Sequence, residues 1–130
     1  MTIADTTFII DILSGDTNAL NKLDDLVARN EPLWMPAVVL HELEYGAGLH
    51  HDPEAERARI QSLEAALPVV PFDAAQARIA GDLEARLELA GKRPGRVDVQ
   101  IAALAQTRGE SVLTRDERFP HTDEVRIERY

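Results

Sequence analysis

Short runs rich in β-branched residues alternate with longer segments of helical periodicity along the whole chain. The strands predicted from these runs are Thr2–Asp5, Leu33–Met35, Val69–Val70, Val112–Thr114 and Val125–Ile127. The predicted helices are Thr7–Leu13, Thr17–Arg29, Ala37–Leu49, Pro53–Ala66, Ala74–Ala90 and Val97–Arg108. This alternation is typical of a mainly parallel sheet covered by helices on both faces. We therefore expect a three-layer α/β/α sandwich in which residues 1–130 form a single domain.

Length and composition narrow the class of protein further. The chain has 130 residues, of which 45% are hydrophobic and 28% charged, as in a globular domain with a sizeable core. No apolar run reaches the roughly 18 residues of a membrane span. The N-terminus has neither a basic start nor a long apolar stretch, so we expect no signal peptide and a cytoplasmic location. Because there is no cysteine, disulfides and thiolate metal sites are excluded.

The charge distribution is uneven between the two halves of the chain. A formal net charge of -9 argues against unspecific nucleic-acid binding, which normally needs a basic surface. Residues 1–72 contain 4 basic and 12 acidic residues, whereas residues 73–130 contain 10 basic and 11 acidic residues. A local basic surface in the second half is therefore compatible with the acidic total.

Two aspartates follow predicted strands directly. Asp5 ends the first strand, and Asp116 follows the strand Val112–Thr114 by two residues. In parallel sheets, binding sites form at the carboxyl ends of the strands, which is where both side chains are expected. Each aspartate alone is also a common cap for a helix or turn, and that alternative stays open.

Two further carboxylates lie on apolar faces of predicted helices. With about 100° per residue, Glu42 falls in the arc that contains Val39, and Asp98 falls between Ile101 and Ala102. A carboxylate on an apolar face is costly unless its charge is compensated. A bound cation, a buried ion pair with an arginine, or a position at the edge of the apolar stripe with access to water would each resolve this cost.

One acidic cluster at the carboxyl edge of the sheet explains all four residues together. Carboxylate oxygens are ligands that Mg²⁺ and Mn²⁺ prefer. Such an ion activates a water molecule and offsets the charge that develops on a phosphodiester. We therefore expect a metal-dependent phosphodiester chemistry, with one or two ions.

Four segments, in order and over nearly the whole chain, resemble the motifs of PIN-domain ribonucleases of the VapC-like toxin type. Residues 5–13 have the sequence DTTFIIDIL, residues 36–46 PAVVLHELEYG, residues 97–105 VDVQIAALA and residues 114–119 TRDERF. Each motif is weak alone, but four in register within 130 residues are fairly specific.

The resemblance implies a PIN-like α/β/α fold and a Mg²⁺- or Mn²⁺-dependent endoribonuclease, in which a metal-activated water hydrolyses RNA. It also implies a homodimer and a cognate antitoxin, as in toxin–antitoxin pairs. The acidic residues that it assigns to catalysis and metal binding are Asp5, Glu42, Asp98 and Asp116. Thr6 and Thr114 correspond to supporting hydroxyl groups.

Basic residues near these motifs are candidates for contact with RNA. The loop Lys92–Arg96 precedes Asp98, and we expect Arg93, Arg96 and Arg115 to bind substrate. A solvated loop is the alternative.

Two other positions near the motifs are expected not to bind metal. Relatives often have an aspartate where this chain has Arg118, a departure that weakens a second metal site. Asp11 is expected to lie on the helix surface or to pair with an arginine.

Other readings of the same residues fit less well. A zinc protease motif that starts at His41 would need a second histidine at the position of Tyr45. An aspartyl phosphotransferase would have an acidic residue in place of Thr7. A phospho-receiver domain would need a lysine after a late strand, where this chain has none. The remaining alternative is a catalytically weak module of the same fold that binds RNA or a partner protein.

Overall fold

The computed structural model describes all 130 residues, in five strands and six helices. The strands are β1 (Thr2–Ala4), β2 (Leu33–Pro36), β3 (Val69–Val70), β4 (Ser111–Leu113) and β5 (Arg126–Glu128). The helices are α1 (Thr6–Ser14), α2 (Thr17–Ala28), α3 (Ala37–Leu49), α4 (Pro53–Ala66), α5 (Ala74–Leu89) and α6 (Arg96–Arg108). Every predicted element is present, with bounds that differ by at most two residues.

The five strands form one sheet in the order β3-β2-β1-β4-β5, and every neighbouring pair is parallel. The prediction of a mainly parallel sheet in an α/β/α sandwich is therefore confirmed. Strand β1 lies at the centre, with Ile3 beside Trp34 on one side and Val112 on the other. Its carboxyl end is consequently flanked by the ends of β2 and β4, where side chains from distant parts of the chain meet.

The hydrophobic core comprises 26 buried residues on both strands and helices. Helix α6 contributes most to it, because five consecutive residues, Ile101–Ala105, are buried. A helix that is apolar all round is typical of a position in the interior. Helix α5 packs along α6 and covers it. The first turn of α6, which contains Asp98, is thus held firmly by the core beneath it.

Small shifts at the element boundaries have a physical reason at the sheet edge. Strand β1 ends at Ala4, one residue before its predicted end, because the next residue, Asp5, is the N-cap of α1. Strand β4 ends at Leu113 instead of Thr114. The backbone N–H of Thr114 still donates to the carbonyl of Glu128, so the chain stays attached to β5 for one more residue.

Candidate active site

Four acidic side chains from distant parts of the chain line one cleft of about 340 Å³ at the carboxyl end of β1. We call it the acidic cleft. Its lining residues are Asp5, Thr6, Thr7, Glu42, Gly95, Arg96, Val97, Asp98 and Asp116. The structure therefore brings together all four carboxylates selected from the sequence.

Asp5 is buried at the base of this cleft and is held by neutral donors only. One carboxylate oxygen, Oδ1, accepts from the backbone N–H of Thr6 at 2.7 Å. The other, Oδ2, accepts from the hydroxyls of Thr7 at 2.9 Å and Thr114 at 2.6 Å. The helix-capping alternative is thus correct for Asp5, and it coexists with a place in the cleft. The N-terminus of α1 stabilises the negative charge there.

Glu42 approaches the cleft from α3. Its side chain is exposed, so it lies at the edge of the apolar stripe and reaches water. Its Oε1 accepts a hydrogen bond from the hydroxyl of Thr6. Because Thr6 belongs to the first turn of α1, this bond ties α3 to the helix that Asp5 caps. Thr6 and Thr114 therefore each hold one acidic residue of the cleft.

Asp98 lies in the first turn of α6, partly buried, and its carboxylate accepts no hydrogen bond from a protein group. Burial, together with the negative charges of Asp5, Asp116 and Glu42, raises its pKa from 3.8 to about 6. Among the four carboxylates, this one has the greatest need for a compensating positive charge.

Gly95, the N-cap of α6, leaves room for the Asp98 carboxylate. A Cβ atom at this position would lie 3.0 Å from Oδ2 of Asp98, closer than ordinary van der Waals contact. Any other residue at position 95 would therefore displace the carboxylate or the loop. This constraint was not recognised from the sequence, where Gly95 is one of several glycines in polar loops.

Asp116 closes the cleft from the segment after β4. Its Oδ1 accepts from the backbone N–H of Arg118 at 2.9 Å and from the Arg118 side-chain Nε at 3.3 Å. The backbone bond is the main reason that the pKa of Asp116 is lowered, with the guanidinium adding to it. The turn-forming alternative is thus correct for Asp116, again together with a place in the cleft. It is the one acidic residue of the four that is paired with a cation.

The donor set is of the kind that binds a hard divalent cation, since all the candidate ligands are carboxylate or hydroxyl oxygens. The carboxylates are not drawn together around one point. No three His, Cys, Asp or Glu side chains form a ready ligand set. Coordination by three of them would therefore need the side chains to rotate inwards, and Asp98 has no hydrogen bond that opposes this.

The three arginines predicted to bind substrate occupy three different environments. Arg96 lines the acidic cleft and pairs with Glu84 at 3.1 Å. Arg93 lies outside this cleft and lines a neighbouring cavity. Arg115 lines neither, because its guanidinium pairs with Asp11. The interpretation of Asp11 as an arginine-pairing residue is confirmed.

None of the six helices combines the length and apolar character that crossing a membrane requires.

Comparison with other proteins relates this geometry to a family. The family model of the PIN domain matches residues 2–125. The tRNA(fMet)-specific endonuclease VapC of Shigella flexneri is 35% identical over 82 residues, which cover 63% of this chain and 62% of that protein. The match thus spans less than two thirds of this relative's length.

Solved structures resemble the whole chain. DNA-bound VapBC from Salmonella typhimurium is 28% identical, with a TM-score of 0.85 over 98% of this chain and 96% of that one. VapBC2 from Rickettsia felis, bound to a promoter DNA fragment, shares the fold with a TM-score of 0.88 at 23% identity, over 99% and 98% of the two chains. The family match covers the predicted motifs and all the residues of the acidic cleft. The chain belongs to the PIN domain family.

Proposed function

We propose that this chain is a metal-dependent endoribonuclease that hydrolyses RNA phosphodiester bonds and acts as the toxin of a toxin–antitoxin pair. The observation that supports this proposal most strongly is the convergence of Asp5, Glu42, Asp98 and Asp116 on one cleft. The similarity to a tRNA-specific endonuclease supports RNA as the substrate class.

The electrostatics of the cleft favour a bound cation. Four carboxylates surround the cavity, and the only cation paired with one of them is Arg118, on Asp116. In the proposal Asp5, Glu42 and Asp98 hold one Mg²⁺ or Mn²⁺ ion, since their charges are not compensated by a basic side chain. Asp116 shapes the cleft and adds negative charge to it.

When bound, such an ion lowers the pKa of a coordinated water and offsets the charge that develops on the phosphodiester. The protein's own groups fix the positions of the ligands. Thr114 and Thr7 hold Oδ2 of Asp5, and Thr6 holds Oε1 of Glu42. In the proposal Arg96, which lines the cleft and is 76% exposed, exchanges its contact with Glu84 for one with a phosphate group of the substrate.

The proposed partner is a cognate antitoxin, because the similar Salmonella structure is a VapBC complex. A homodimer and a location in the cytoplasm complete the proposal, by resemblance to VapC-like toxins.

The test is cleavage of a mixed pool of structured RNAs by the wild type and by Asp5→Asn, in Mn²⁺ or in EDTA. Asn retains an oxygen that can cap α1 but removes the negative charge. Asp16→Asn is the matched control, because Asp16 is also a helix N-cap, of α2, and lies outside the cleft. We expect cutting in Mn²⁺ by the wild type and by Asp16→Asn, and none by Asp5→Asn or in EDTA.

Cutting that survives Asp5→Asn would contradict the assignment of the active site. An intact RNA pool with all variants would contradict the nuclease itself.

The second candidate is a catalytically weak binding module of the same fold. The observation that favours it is the lack of three acidic side chains already close enough to hold a metal ion. An RNA pool that stays intact in Mn²⁺, with RNA binding that needs no metal, would support this candidate.

A further inference from the structure

A second cavity, also of about 340 Å³, lies beside the acidic cleft and has the opposite charge. Its basic lining residues are Lys92, Arg93, Arg118 and His121. The one acidic residue in its wall is Glu117. We call it the basic cavity. In a chain of net charge -9, three permanent positive charges around one cavity are an exception.

The cations of the basic cavity are available to a ligand. Lys92 and Arg93 are exposed and make no ion pair, whereas Arg86 and Arg96 on either side of them pair with Asp82 and Glu84. Arg118 is 91% exposed and uses its Nε to contact Asp116. A guanidinium has five N–H donors, so most of those on Arg118 stay free.

The linings of the two cavities adjoin along two segments of the chain. In the segment before α6, Pro94 lines the basic cavity, and the next residue, Gly95, lines the acidic cleft. In the segment after β4, Asp116 lines the cleft and Arg118 the basic cavity. A phosphate chain that extends from the acidic cleft across either segment therefore approaches these positive charges.

The remaining walls suit a nucleotide more than a bare anion. Pro94 and Leu87, both only partly buried, line the same cavity and offer apolar surface. The volume is at the lower end of the roughly 300–1,000 Å³ that is usual for small-ligand sites. In RNA, single-stranded nucleotides present phosphate, sugar and base separately, and proteins recognise them by such mixed surfaces.

We propose that the basic cavity binds a phosphate and its nucleotide adjacent to the bond that is cut in the acidic cleft. Lys92, Arg93 and Arg118 contact the phosphate, and Pro94 and Leu87 pack against the sugar or base. This inference rests on the proposed ribonuclease function, and it names the part of the protein that sets the direction and affinity of the RNA strand.

The experiment measures fluorescence anisotropy of a 5′-fluorescein-labelled, single-stranded 12-nucleotide RNA in EDTA, where no cutting is expected, at several salt concentrations. The variants are Arg93→Ala and the double variant Lys92→Ala/Arg93→Ala. Arg78→Ala is the matched control, because Arg78 is exposed on α5, makes no ion pair and lines neither cavity. All the substituted residues are exposed, so thermal unfolding is expected to be unchanged.

We expect Arg93→Ala to weaken binding about threefold and the double variant roughly tenfold, with Arg78→Ala within twofold of the wild type. Because both cations contact the same phosphate, their loss lowers the magnitude of the slope of log affinity against log salt by at most about 0.7. Equal affinities and slopes for the wild type and the double variant, or no binding by the wild type at low salt, would overturn the proposal.

Cleavage assays in Mn²⁺ with the same variants separate this proposal from the nuclease proposal. If the wild type cuts RNA and the double variant has the same KM, the result supports the nuclease proposal and overturns the proposed role of the basic cavity. Binding that depends on Lys92 and Arg93, without cutting by the wild type, would support the cavity and contradict the nuclease. If both variants bind RNA like the wild type, an acidic segment of a partner protein becomes the better occupant.

Discussion

Two buried aspartates at helix α1 differ in whether a positively charged side chain compensates their negative charge. Asp5, before the first residue of α1, is 2% exposed, and Asp11, in its second turn, is 7% exposed. Asp11 accepts from two nitrogens of Arg115 and from the Tyr130 hydroxyl at 2.7 Å. The arginine holds the pKa of Asp11 below its usual range. Asp5 accepts only from an N–H group and two hydroxyls, with no cation in contact.

This difference distinguishes Asp11, whose carboxylate stabilises the fold, from Asp5, whose carboxylate is available to bind a cation. The fold supplies Asp11 with its own counter-charge, contributed by a residue 104 positions away. Around Asp5 the fold instead adds negative charge, and burial together with these charges raises the pKa of Asp98 to about 6. Such an arrangement is unfavourable in the protein alone and becomes favourable when a cation is bound.

The two sites also depend on each other. Arg115, which pairs with Asp11, directly precedes Asp116 of the acidic cleft. Tyr130, the other donor to Asp11, packs edge to face against Phe8 of α1 with ring centroids 4.8 Å apart. The Asp11 site thus attaches the C-terminal residue and the segment after β4 to α1, and it holds one wall of the cleft.

The largest expected difference between the two sites is in RNA cleavage. Asp98→Asn removes a proposed metal ligand and should reduce metal-dependent cutting by more than the roughly 10–100-fold cost of losing a supporting group. Asp11→Asn should stay within about tenfold of the wild type, because Asp11 does not line the cleft. Initial rates of cleavage in Mn²⁺ measure both, and equal losses would remove the distinction between the sites.

The next effect is on the stability of the metal-free protein. Because the pKa of Asp98 is raised in the folded state to about 6, its ionised form costs stability at pH 7. Asp98→Asn should therefore increase the free energy of unfolding by about 2 kcal/mol in EDTA. The stability that protonated Asp98 contributes is full below about pH 4 and is lost as the pH rises through about 6. Urea unfolding in EDTA at pH 5 and pH 7 measures this, and destabilisation by Asp98→Asn at pH 7 would contradict it.

Asp11→Asn should have the opposite sign. It leaves Arg115 without its partner, and because Arg115 is 58% exposed the loss is about 1–2 kcal/mol, less than for a fully buried pair. Since the pKa of Asp11 is lowered, its contribution is present above about pH 4 and is lost as the pH falls. The same unfolding series at lower pH should therefore bring this variant and the wild type together.

The smallest effect is expected for Tyr130→Phe, which keeps the contact with Phe8 and removes one hydrogen bond to Asp11. Because the Asp11 carboxylate keeps both bonds from Arg115, the expected loss is about 1 kcal/mol, below the usual range for a bond to a charged group. RNA cleavage and Mn²⁺ affinity should change little. A larger loss of Mn²⁺ affinity than of stability would show that the Asp11 site controls the cleft directly.

The order of the elements and the place of the acidic residues were predictable from the sequence. Short apolar runs between helical segments identify a parallel sheet, and in such a sheet residues after the strands meet at one edge. Asp5 and Asp116 follow from that rule alone. Asp98 follows from its place on the apolar face of its helix.

The burial of individual side chains and the identity of their ion-pair partners were not predictable in the same way. A helical wheel gives the direction of Glu42 but not its depth, and the side chain turns out to be exposed. The choice of Arg115 as the partner of Asp11 depends on how the segment after β4 passes over α1, which local sequence does not encode. For the same reason the sequence predicts that Arg93 binds substrate but does not reveal the cavity that it lines.

The most direct test of the account is thermal unfolding of the wild type and Asp98→Asn, with and without Mn²⁺, with Asp16→Asn as the control. Mn²⁺ at about one hundred times its Kd should stabilise the wild type and Asp16→Asn by about 2.7 kcal/mol. Asp98→Asn should gain little stability from Mn²⁺ and should be the most stable of the three proteins without metal. Equal responses of all three proteins, or no response of the wild type, would contradict the claim that the acidic cleft is completed by a cation.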